Sequence, residues 1–434
     1  MLPAYHQNER GQILIIITVA LIGLLGMTSL AIDGGMIYSD RRQAQNAADA
    51  AALAGALKKS NGGTDAAAIQ AAREVIIANH YDPAQVNVQV SNSSDLFGPY
   101  FLVRADLEVH TQTSLMHLFG RPLVTNEVMA IAKTRAAGPA MPGMAIIAMG
   151  DCTAPGGPRN LVSIDGGGNS GEVLTYRGGI FLNSPDPSGN PCAIDPPSSA
   201  PSQGVKVHDG HNISSVGRHT YAGEAKVIPS PINVNVNNGV RIGDPLEGLE
   251  EPRCTANGSS SGNVFSPGRY GGPGQPELGS GTLNPGIYCI TGNLRLSGQD
   301  DIVGTGVVLY FINGGSLFTG QGALKISAPT AANCLGTAGD PTASCTYQGI
   351  AMFMARGNRN TFDLRGNGDH KIIGTVYALN GDVIGRGGGR TPDEWMVNGQ
   401  IIARSVAGDG NGSFTVTYNE NNVFRRGPSL SLTK

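Results

Sequence analysis

An uncharged, mainly apolar run from Ile13 to Ile32 leads directly into Asp33-Gly34-Gly35 and constrains the fold more than any other feature. A helix of about 20 residues rises about 30 Å, which matches the hydrocarbon core of a bilayer. Secretory signals have shorter apolar regions, of about 7 to 15 residues, that end in a small-residue cleavage site. The run therefore predicts an uncleaved transmembrane helix over residues 11–32, with residues 1–10 in the cytoplasm. A processed leader and a buried soluble helix are the alternatives.

The chain has six cysteines, all on the C-terminal side of this run: Cys152, Cys192, Cys254, Cys289, Cys334 and Cys345. An even number of cysteines on one side of a membrane helix fits disulfides formed in an oxidising compartment. Cys334 and Cys345 flank a short loop and are the expected pair, while the other four allow three pairings. We therefore expect the body of the protein to be extracytoplasmic. Reduced, buried cysteines are the alternative.

The composition excludes one class of partner and indicates closely spaced turns. Charged residues make up 15% of the 434 residues and the net charge is −3, so the clustered Lys and Arg that bind nucleic-acid phosphates are missing. The 63 glycines have no collagen period, which indicates either frequent turns or disorder. No nucleic-acid partner is expected.

Residues 33–137 have the pattern of a small α+β module. The alanine-rich stretch from Tyr38 to Lys59 predicts a helix that extends the membrane helix, and Thr64 or Asp65 can cap a second helix through Asn79. Alternating apolar residues over 101–109, a short apolar helix over 115–119 and a strand over 124–133 follow. The small helix residues permit close approach, so this helix either packs on its own domain or mediates an oligomer.

The same region carries a family resemblance. Its sequence signals are Arg10-Gly11-Gln12, Ala31-Ile32-Asp33, and the run that begins at Arg41-Arg42-Gln43 and continues through Gln45-Asn46-Ala47-Ala48-Asp49. These segments resemble the N-terminal module of TadE/TadG-like proteins of Tad (Flp) pilus assembly. The motif positions in this sequence are Arg41, Arg42, Gln45, Asn46 and Asp49.

The resemblance implies a single-pass accessory protein of the inner or cytoplasmic membrane, with other Tad pilus-assembly proteins as partners. Pseudopilin relatives are processed at a glycine that precedes an apolar run containing an acidic residue. After Gly11 there is only Gln12 and then aliphatic residues, so cleavage by a prepilin peptidase is not expected.

Residues 138–143 contain Gly138-Pro139 and Pro142-Gly143 and are expected to form a linker. From residue 144 to 434 the chain contains short β-prone runs bounded by Gly, Asn or Asp, and they lie at 306–312, 316–319, 323–327, 350–354, 371–377 and 400–403. Repeated short strands with glycine corners predict an all-β ectodomain that stacks as a β-helix or solenoid. A β-sandwich is the alternative.

We find no sequence motif for catalysis, a cofactor or a metal. A phosphate-binding loop of the GxxxxGKS/T type and an HExxH zinc motif are both missing from the sequence. Weak candidates are the histidines His208, His211 and His219 for a metal, and Asp300-Asp301 or Asp363 with Asp369 as paired carboxylates. We expect a non-enzymatic assembly protein. The alternative is a membrane-tethered β-helix protein that binds carbohydrate or processes polysaccharide.

Overall fold

The structure is a computed structural model. It describes residues 10–158, 160–165, 171–185, 193–195, 204–217, 220–221, 227–365, 369–387, 389–409 and 412–433. The chain divides into two compact units, which are described separately. Unit 1 comprises Met1–Ala137 with Gly427–Lys434, and unit 2 comprises Gly138–Arg426. A long apolar helix followed by a β-rich region agrees with the expected α+β class.

Unit 1 begins with α1 (Arg10–Ser60), a continuous helix that contains both the apolar run and the alanine-rich stretch. From Ile13 to Ile32 almost every side chain of α1 is exposed, and the helix is long and apolar enough to cross a membrane. The second helix, α2 (Asp65–Ala78), starts where the sequence indicates: Thr64 is its N-cap and accepts a hydrogen bond from the Ala67 N–H.

An antiparallel sheet packs against the alanine-rich part of α1. Its strands are β1 (Val86–Asp95), β2 (Gly98–Gln112) and β3 (Leu123–Arg135), with short 3-10 turns at Pro83–Gln85 and Met116–Phe119. The strand β1 was not predicted, because its second half from Ser91 to Asp95 is polar and exposed and shows no apolar alternation.

The last strand of unit 1 comes from the end of the chain. Residues Ser429–Thr433 pair antiparallel with β3, with Ala132 opposite Leu432. The ectodomain expected over 144–434 includes these residues, whereas in the structure residues 427–434 group with unit 1. The alternation of Ser and Leu over 429–432 fits a strand, but only the fold determines which sheet that strand joins.

Unit 2 contains three ladders of parallel strands. Ladder A, in stacking order, is Val264–Ser266, Gly281–Leu283, Asp301–Thr305, Ala323–Ser327, the starts of Lys371–Gly385 and Val397–Asp409, Ser413–Thr417, Glu172–Tyr176, Gly204–Val207 and Val227–Ile228. Ladder B is Gly268–Tyr270, Gly286–Ile290, Val307–Phe311, Ile350–Met354, the middles of the same two long strands, Met144–Ala148, Gly179–Leu182 and Ile213–Ser215. Ladder C is Asn293–Arg295, Ser316–Phe318, Thr361–Leu364, the ends of the two long strands, Asn160–Asp165, Ala193–Asp195 and Thr220–Tyr221.

The remaining elements of unit 2 are short. Ser259–Ser261 forms an antiparallel hairpin with Val264–Ser266, and 3-10 turns lie at Val236–Gly239 and Ser344–Tyr347. Gly138–Pro139 pairs antiparallel with Arg425–Arg426, and Ala140 is fully buried. The expected linker over 138–143 is therefore a packed part of unit 2.

The stacking order of the strands differs from their order in the chain. Ser413–Thr417 in ladder A is followed, in the same turn of the stack, by Met144–Ala148 in ladder B. The ladder strand that comes first in the chain, Met144–Ala148, and the one that comes last, Ser413–Thr417, thus lie in the same turn. From this shared turn, residues 144–228 build one end of the stack, and residues 264–409 build the other.

Ladder B is buried on both faces, which explains why its strands appear in the sequence as solid apolar runs. On one face, equivalent positions are occupied by Leu309, Met352, Val376, Ile401 and Ile146, all fully buried in the central core. On the other face, equivalent positions are occupied by Tyr310, Phe353, Tyr377, Ile402 and Ile147.

A segment without long strands, residues 229–254, covers that second face, and we call it the strap. At its start, Asn233 bridges to Ser214 of ladder B. Next, the Ile242 N–H donates to Asn183 Oδ1 (2.8 Å), and the Arg241 guanidinium contacts Asp151 (3.0 Å).

The second half of the strap continues across the remaining strands of ladder B. Asp244 accepts hydrogen bonds from Tyr377 Oη and from Arg356 Nε, each 2.8 Å long, and Glu251 accepts one from Tyr310 Oη (2.7 Å). The strap ends at the disulfide from Cys254 to Cys289 of ladder B. At roughly 4.8 Å per strand, the strap crosses about 34 Å of stacked ladder.

The described cysteines are disulfide-bonded. Cys334 pairs with Cys345, the pair expected from their spacing, and Cys254 pairs with Cys289, which is one of the pairings that sequence left open. Cys152 is also disulfide-bonded, and Cys192 lies outside the described residues.

Removal of the strap disulfide should destabilise unit 2 more than removal of the loop disulfide. The bonded cysteines are 35 residues apart in the strap pair and 11 apart in the loop pair. Restriction of the unfolded chain then contributes about 4 and about 3 kcal/mol, respectively. We expect the double variant Cys254→Ser/Cys289→Ser to lower the urea midpoint further than Cys334→Ser/Cys345→Ser. If the two double variants have equal urea midpoints, or if Cys334→Ser/Cys345→Ser has the lower one, the strap disulfide does not stabilise unit 2 more than the loop disulfide.

His370 is a buried histidine beside ladder A. Its Nδ1 accepts a hydrogen bond from the Leu324 N–H (3.1 Å), and its Nε2 lies 3.2 Å from Thr319 Oγ1. Burial lowers the pKa of His370 to about 4, because a charged imidazolium would lose its hydration there. The imidazole is therefore neutral in the folded protein.

This burial predicts a specific acid sensitivity. The folded pKa lies below the ordinary value of about 6.5, so the unfolded chain takes up the proton first and the stability is lost as the pH falls from 6.5 toward 4. The slope reaches at most about 1.4 kcal/mol per pH unit. The variant His370→Gln should flatten the dependence of the urea midpoint on pH in this window. The control His211→Gln, in a loop, should leave it unchanged; an unaltered slope in His370→Gln would refute the assignment.

Candidate functional site

The end of the apolar run is tied to the sheet of unit 1 through Asp33. The side chain of Asp33 is fully buried and accepts hydrogen bonds from three successive backbone N–H groups, those of Ser114 (2.8 Å), Leu115 (3.0 Å) and Met116 (2.5 Å). These groups begin the 3-10 turn Met116–Phe119, whose first N–H groups have no partner within the turn. The carboxylate therefore caps a turn that is about 80 residues away in the sequence.

The environment of Asp33 keeps this carboxylate ionised. Burial alone raises a carboxyl pKa, but the N–H groups of Met116, Ser114 and Leu115 stabilise the charged form and lower the pKa of Asp33 overall. In the sequence, Asp33 stands directly after the apolar run and within the family motif, and its contact with a distant turn is not predicted. The signal that could have identified its role is an acidic residue placed directly after an uncharged run.

The motif residues that follow divide into two groups. Gln45 Nε2 donates to the carbonyl of Met129 in β3 (3.0 Å) and to Asp49 Oδ1 (2.8 Å), so Gln45 and Asp49 fix α1 to the sheet. Arg41, Arg42 and Asn46 are exposed. The structure thus brings two of the five motif residues into internal contacts and leaves three available to a partner.

The alanines of the motif are covered within unit 1. Ala44, Ala47, Ala48, Ala51, Ala52 and Ala56 are fully buried and share a core with Val103, Ala105, Leu107, Val128, Ala130 and Ala132 of the sheet. Of the two interpretations of this stretch, packing on its own domain accounts for the small residues. A helix-mediated oligomer would have to use the other face of α1.

Gly55 permits the closest approach in this packing. A Cβ atom at this position would lie 2.9 Å from Val103 Cγ1 and 3.0 Å from the Ala68 carbonyl oxygen of α2. No side chain fits there without moving the sheet or α2. By contrast, a Cβ at Gly35 of the same helix would have no atom within 4 Å.

The carboxylates proposed from sequence are turn or ion-pair residues. Asp300 accepts the Ser297 N–H (2.9 Å), and Asp363 binds the Arg365 guanidinium (2.7 Å). Asp301 lies 3.8 Å from Lys325, and Asp369 lies 3.6 Å from Lys371. Each of these carboxylates therefore has a turn or ion-pair contact.

His208 and His211 lie in one turn, where the His211 N–H donates a hydrogen bond to the His208 carbonyl (3.3 Å). The His208 ring stacks on Tyr176 with their centroids 4.4 Å apart, and His219 lies outside the described residues. Among the described residues, no group of three or more His, Cys, Asp or Glu side chains is close enough to hold a metal ion.

A groove of about 730 Å³ lies on the sheet of unit 1. Its walls include Arg104, Asp106, Glu108 and Glu127, and the Arg104 guanidinium forms an ion pair with Asp106 (2.9 Å). The described lining combines these charged side chains with the apolar residues Val86, Leu107, Val128 and Met129.

Substitution of Gly55 should test the packing of the motif helix. The variant Gly55→Ala should lower the unfolding free energy of unit 1 by about 1 to 3 kcal/mol, because overpacking displaces Val103 or α2. The matched control Gly35→Ala should be neutral or stabilising by up to about 1 kcal/mol, as expected for Gly to Ala in an exposed helix. Thermal unfolding followed by circular dichroism measures both, and equal effects would contradict the tight contact at Gly55.

One protein-family model matches the N-terminal part of the chain. Residues 11–58 match the family described as "Putative Flp pilus-assembly TadE/G-like". No curated protein and no solved structure matches the chain. The family match covers α1, from the apolar run through the buried alanines, and confirms the resemblance on the residues that carry it. Residues 11–58 of this chain are therefore similar to the TadE/G-like family of Flp pilus assembly.

Proposed function

We propose that this protein is a membrane-anchored, non-enzymatic accessory protein of Tad (Flp) pilus assembly, with unit 2 serving in assembly or surface interaction. The observation that carries the proposal is the coincidence of the family match over residues 11–58 with an exposed apolar helix from Ile13 to Ile32. In this proposal residues 11–32 span the membrane once, and residues 33–137 together with 427–434 form the module next to it.

The proposed location is the inner or cytoplasmic membrane, with both units outside the cytoplasm. The disulfides Cys254–Cys289 and Cys334–Cys345 support this orientation, because such bonds persist in oxidising compartments and are rare in the cytosol. The N-terminal residues 1–10 then lie in the cytoplasm.

We propose further that unit 2 is a β-helix. Support comes from its three parallel ladders, A, B and C, each of which receives one strand or part of a strand from most turns of the stack. A β-sandwich consists of antiparallel sheets joined by Greek-key connections, and it does not place equivalent residues on successive parallel strands. Such a rigid, disulfide-bonded body suits a structural role in assembly or in contact with another surface.

Within this function, the exposed motif residues are the proposed contact with other Tad assembly proteins. Gln45 and Asp49 are occupied by contacts inside unit 1, whereas Arg41, Arg42 and Asn46 are not buried. Two adjacent guanidinium groups on a helix recognise a carboxylate-bearing partner well, because arginine presents a rigid fork of donors.

A deletion strain complemented with variants tests the proposal. Deletion should abolish piliation, and the intact chain should restore it. The variant Arg41→Glu/Arg42→Glu should restore membrane-bound protein but reduce pili at least about tenfold, which corresponds to about 1.4 kcal/mol lost from a partner contact. The control Arg73→Glu, an exposed position on α2, should restore piliation fully.

Two results would overturn the proposal. Normal piliation in the deletion strain would remove the assembly role and favour the surface carbohydrate function instead. Full complementation by Arg41→Glu/Arg42→Glu would leave the assembly role intact but would exclude these arginines as the contact.

A further inference from the structure

We propose that the connection between β2 and β3, residues 114–121, lies in the membrane interface and binds phospholipid there. We call this connection the interface loop. The inference rests on the proposed membrane anchor and adds a second lipid contact to it.

The position of the interface loop along α1 follows from Asp33. The apolar run ends at Ile32, so the next residue marks the level at which the hydrocarbon core ends. Because Asp33 binds the backbone of Ser114, Leu115 and Met116, the loop is held at that level and cannot rise along the helix. The loop therefore stands beside the span where the lipid headgroups begin.

The composition of the interface loop is suited to the boundary between the hydrocarbon core and the lipid headgroups. Its sequence is Ser-Leu-Met-His-Leu-Phe-Gly-Arg, which has four large apolar residues, whereas most surface connections are polar. Leu115 and Met116 are only half-buried, and Leu123 at the start of β3 is about half exposed. Arg121 is exposed at the end of the loop, as suits a cation that binds lipid phosphate.

A lipid surface is the occupant that the observations favour over another protein. The partly exposed Leu115 and Met116 follow Ser114, whose Oγ lies 3.8 Å from Met36 Sδ of α1, and Ile32 and Met36 on that helix are each more than 40% exposed. Any bilayer that surrounds the run up to Ile32 therefore meets the loop without a further conformational change.

Asp33 is the positioning residue in this arrangement. Its carboxylate satisfies three backbone donors that would otherwise enter the interface unpaired, which costs free energy near hydrocarbon. Without this acceptor, the turn loses its cap and the loop loses its fixed depth.

Tryptophan fluorescence in vesicles tests the proposal on the full chain. Trp395 is the single tryptophan, so the variants are made in a Trp395→Phe background. Leu115→Trp and His117→Trp report on the loop, Leu25→Trp reports on the span, and Asn61→Trp at the far end of α1 is the control. Each protein is reconstituted into phosphatidylcholine and phosphatidylglycerol vesicles that carry a quencher either close to the headgroups or deep in the acyl chains.

We expect both loop reporters to be quenched more strongly by the shallow label than by the deep one. Leu25→Trp should show the opposite order, and Asn61→Trp should not be quenched. Addition of Asp33→Ala to either loop reporter should reduce the shallow quenching, whereas Asp33→Asn, which keeps one acceptor oxygen, should reduce it less.

Each contrary result identifies which inference fails. If the loop reporters are unquenched while Leu25→Trp is quenched, the loop does not bind lipid but the anchor stands. If Leu25→Trp is also unquenched, the membrane anchor of the proposed function fails with it. If Asp33→Ala leaves loop quenching unchanged, Asp33 does not position the loop.

Discussion

The carboxylate of Asp33 is the interaction on which the arrangement of unit 1 depends. A charge placed directly after an apolar run is costly to bury unless hydrogen bonds satisfy it. Three backbone N–H groups do so, and in return the carboxylate caps the turn after β2. One side chain thus connects the candidate span to the sheet, and Gln45 connects the next part of the same helix to β3.

Unit 2 depends on a different constraint. Its parallel strands cannot be stabilised by contacts between residues that are close in sequence. Parallel strands pair only through residues distant in sequence, and ordering them costs conformational entropy before the contacts form. The strap supplies cross-links over many strands of ladder B, through Asn183, Tyr377 and Tyr310. It also covers an apolar face that would otherwise meet solvent.

Local features were predictable, and long-range ones were not. The Thr64 cap, the alternation through Val103 and Leu107, and the strand at Ile350–Met354 follow from residue type and spacing. The contact of Asp33 with Ser114 does not, because no local pattern specifies a partner so distant in sequence. The same reason explains why the pairing of Ser429–Thr433 with β3 and the path of the strap do not follow from the sequence.

The shared turn formed by Ser413–Thr417 and Met144–Ala148 has an evolutionary consequence. Because both connections of unit 2 to unit 1 lie next to this turn in the sequence, turns can be added or lost at either end of the stack without any change at the attachments. The strap must change with them, by roughly 4.8 Å for each turn. The number of turns in unit 2 can therefore vary among descendants while the shared turn stays unchanged.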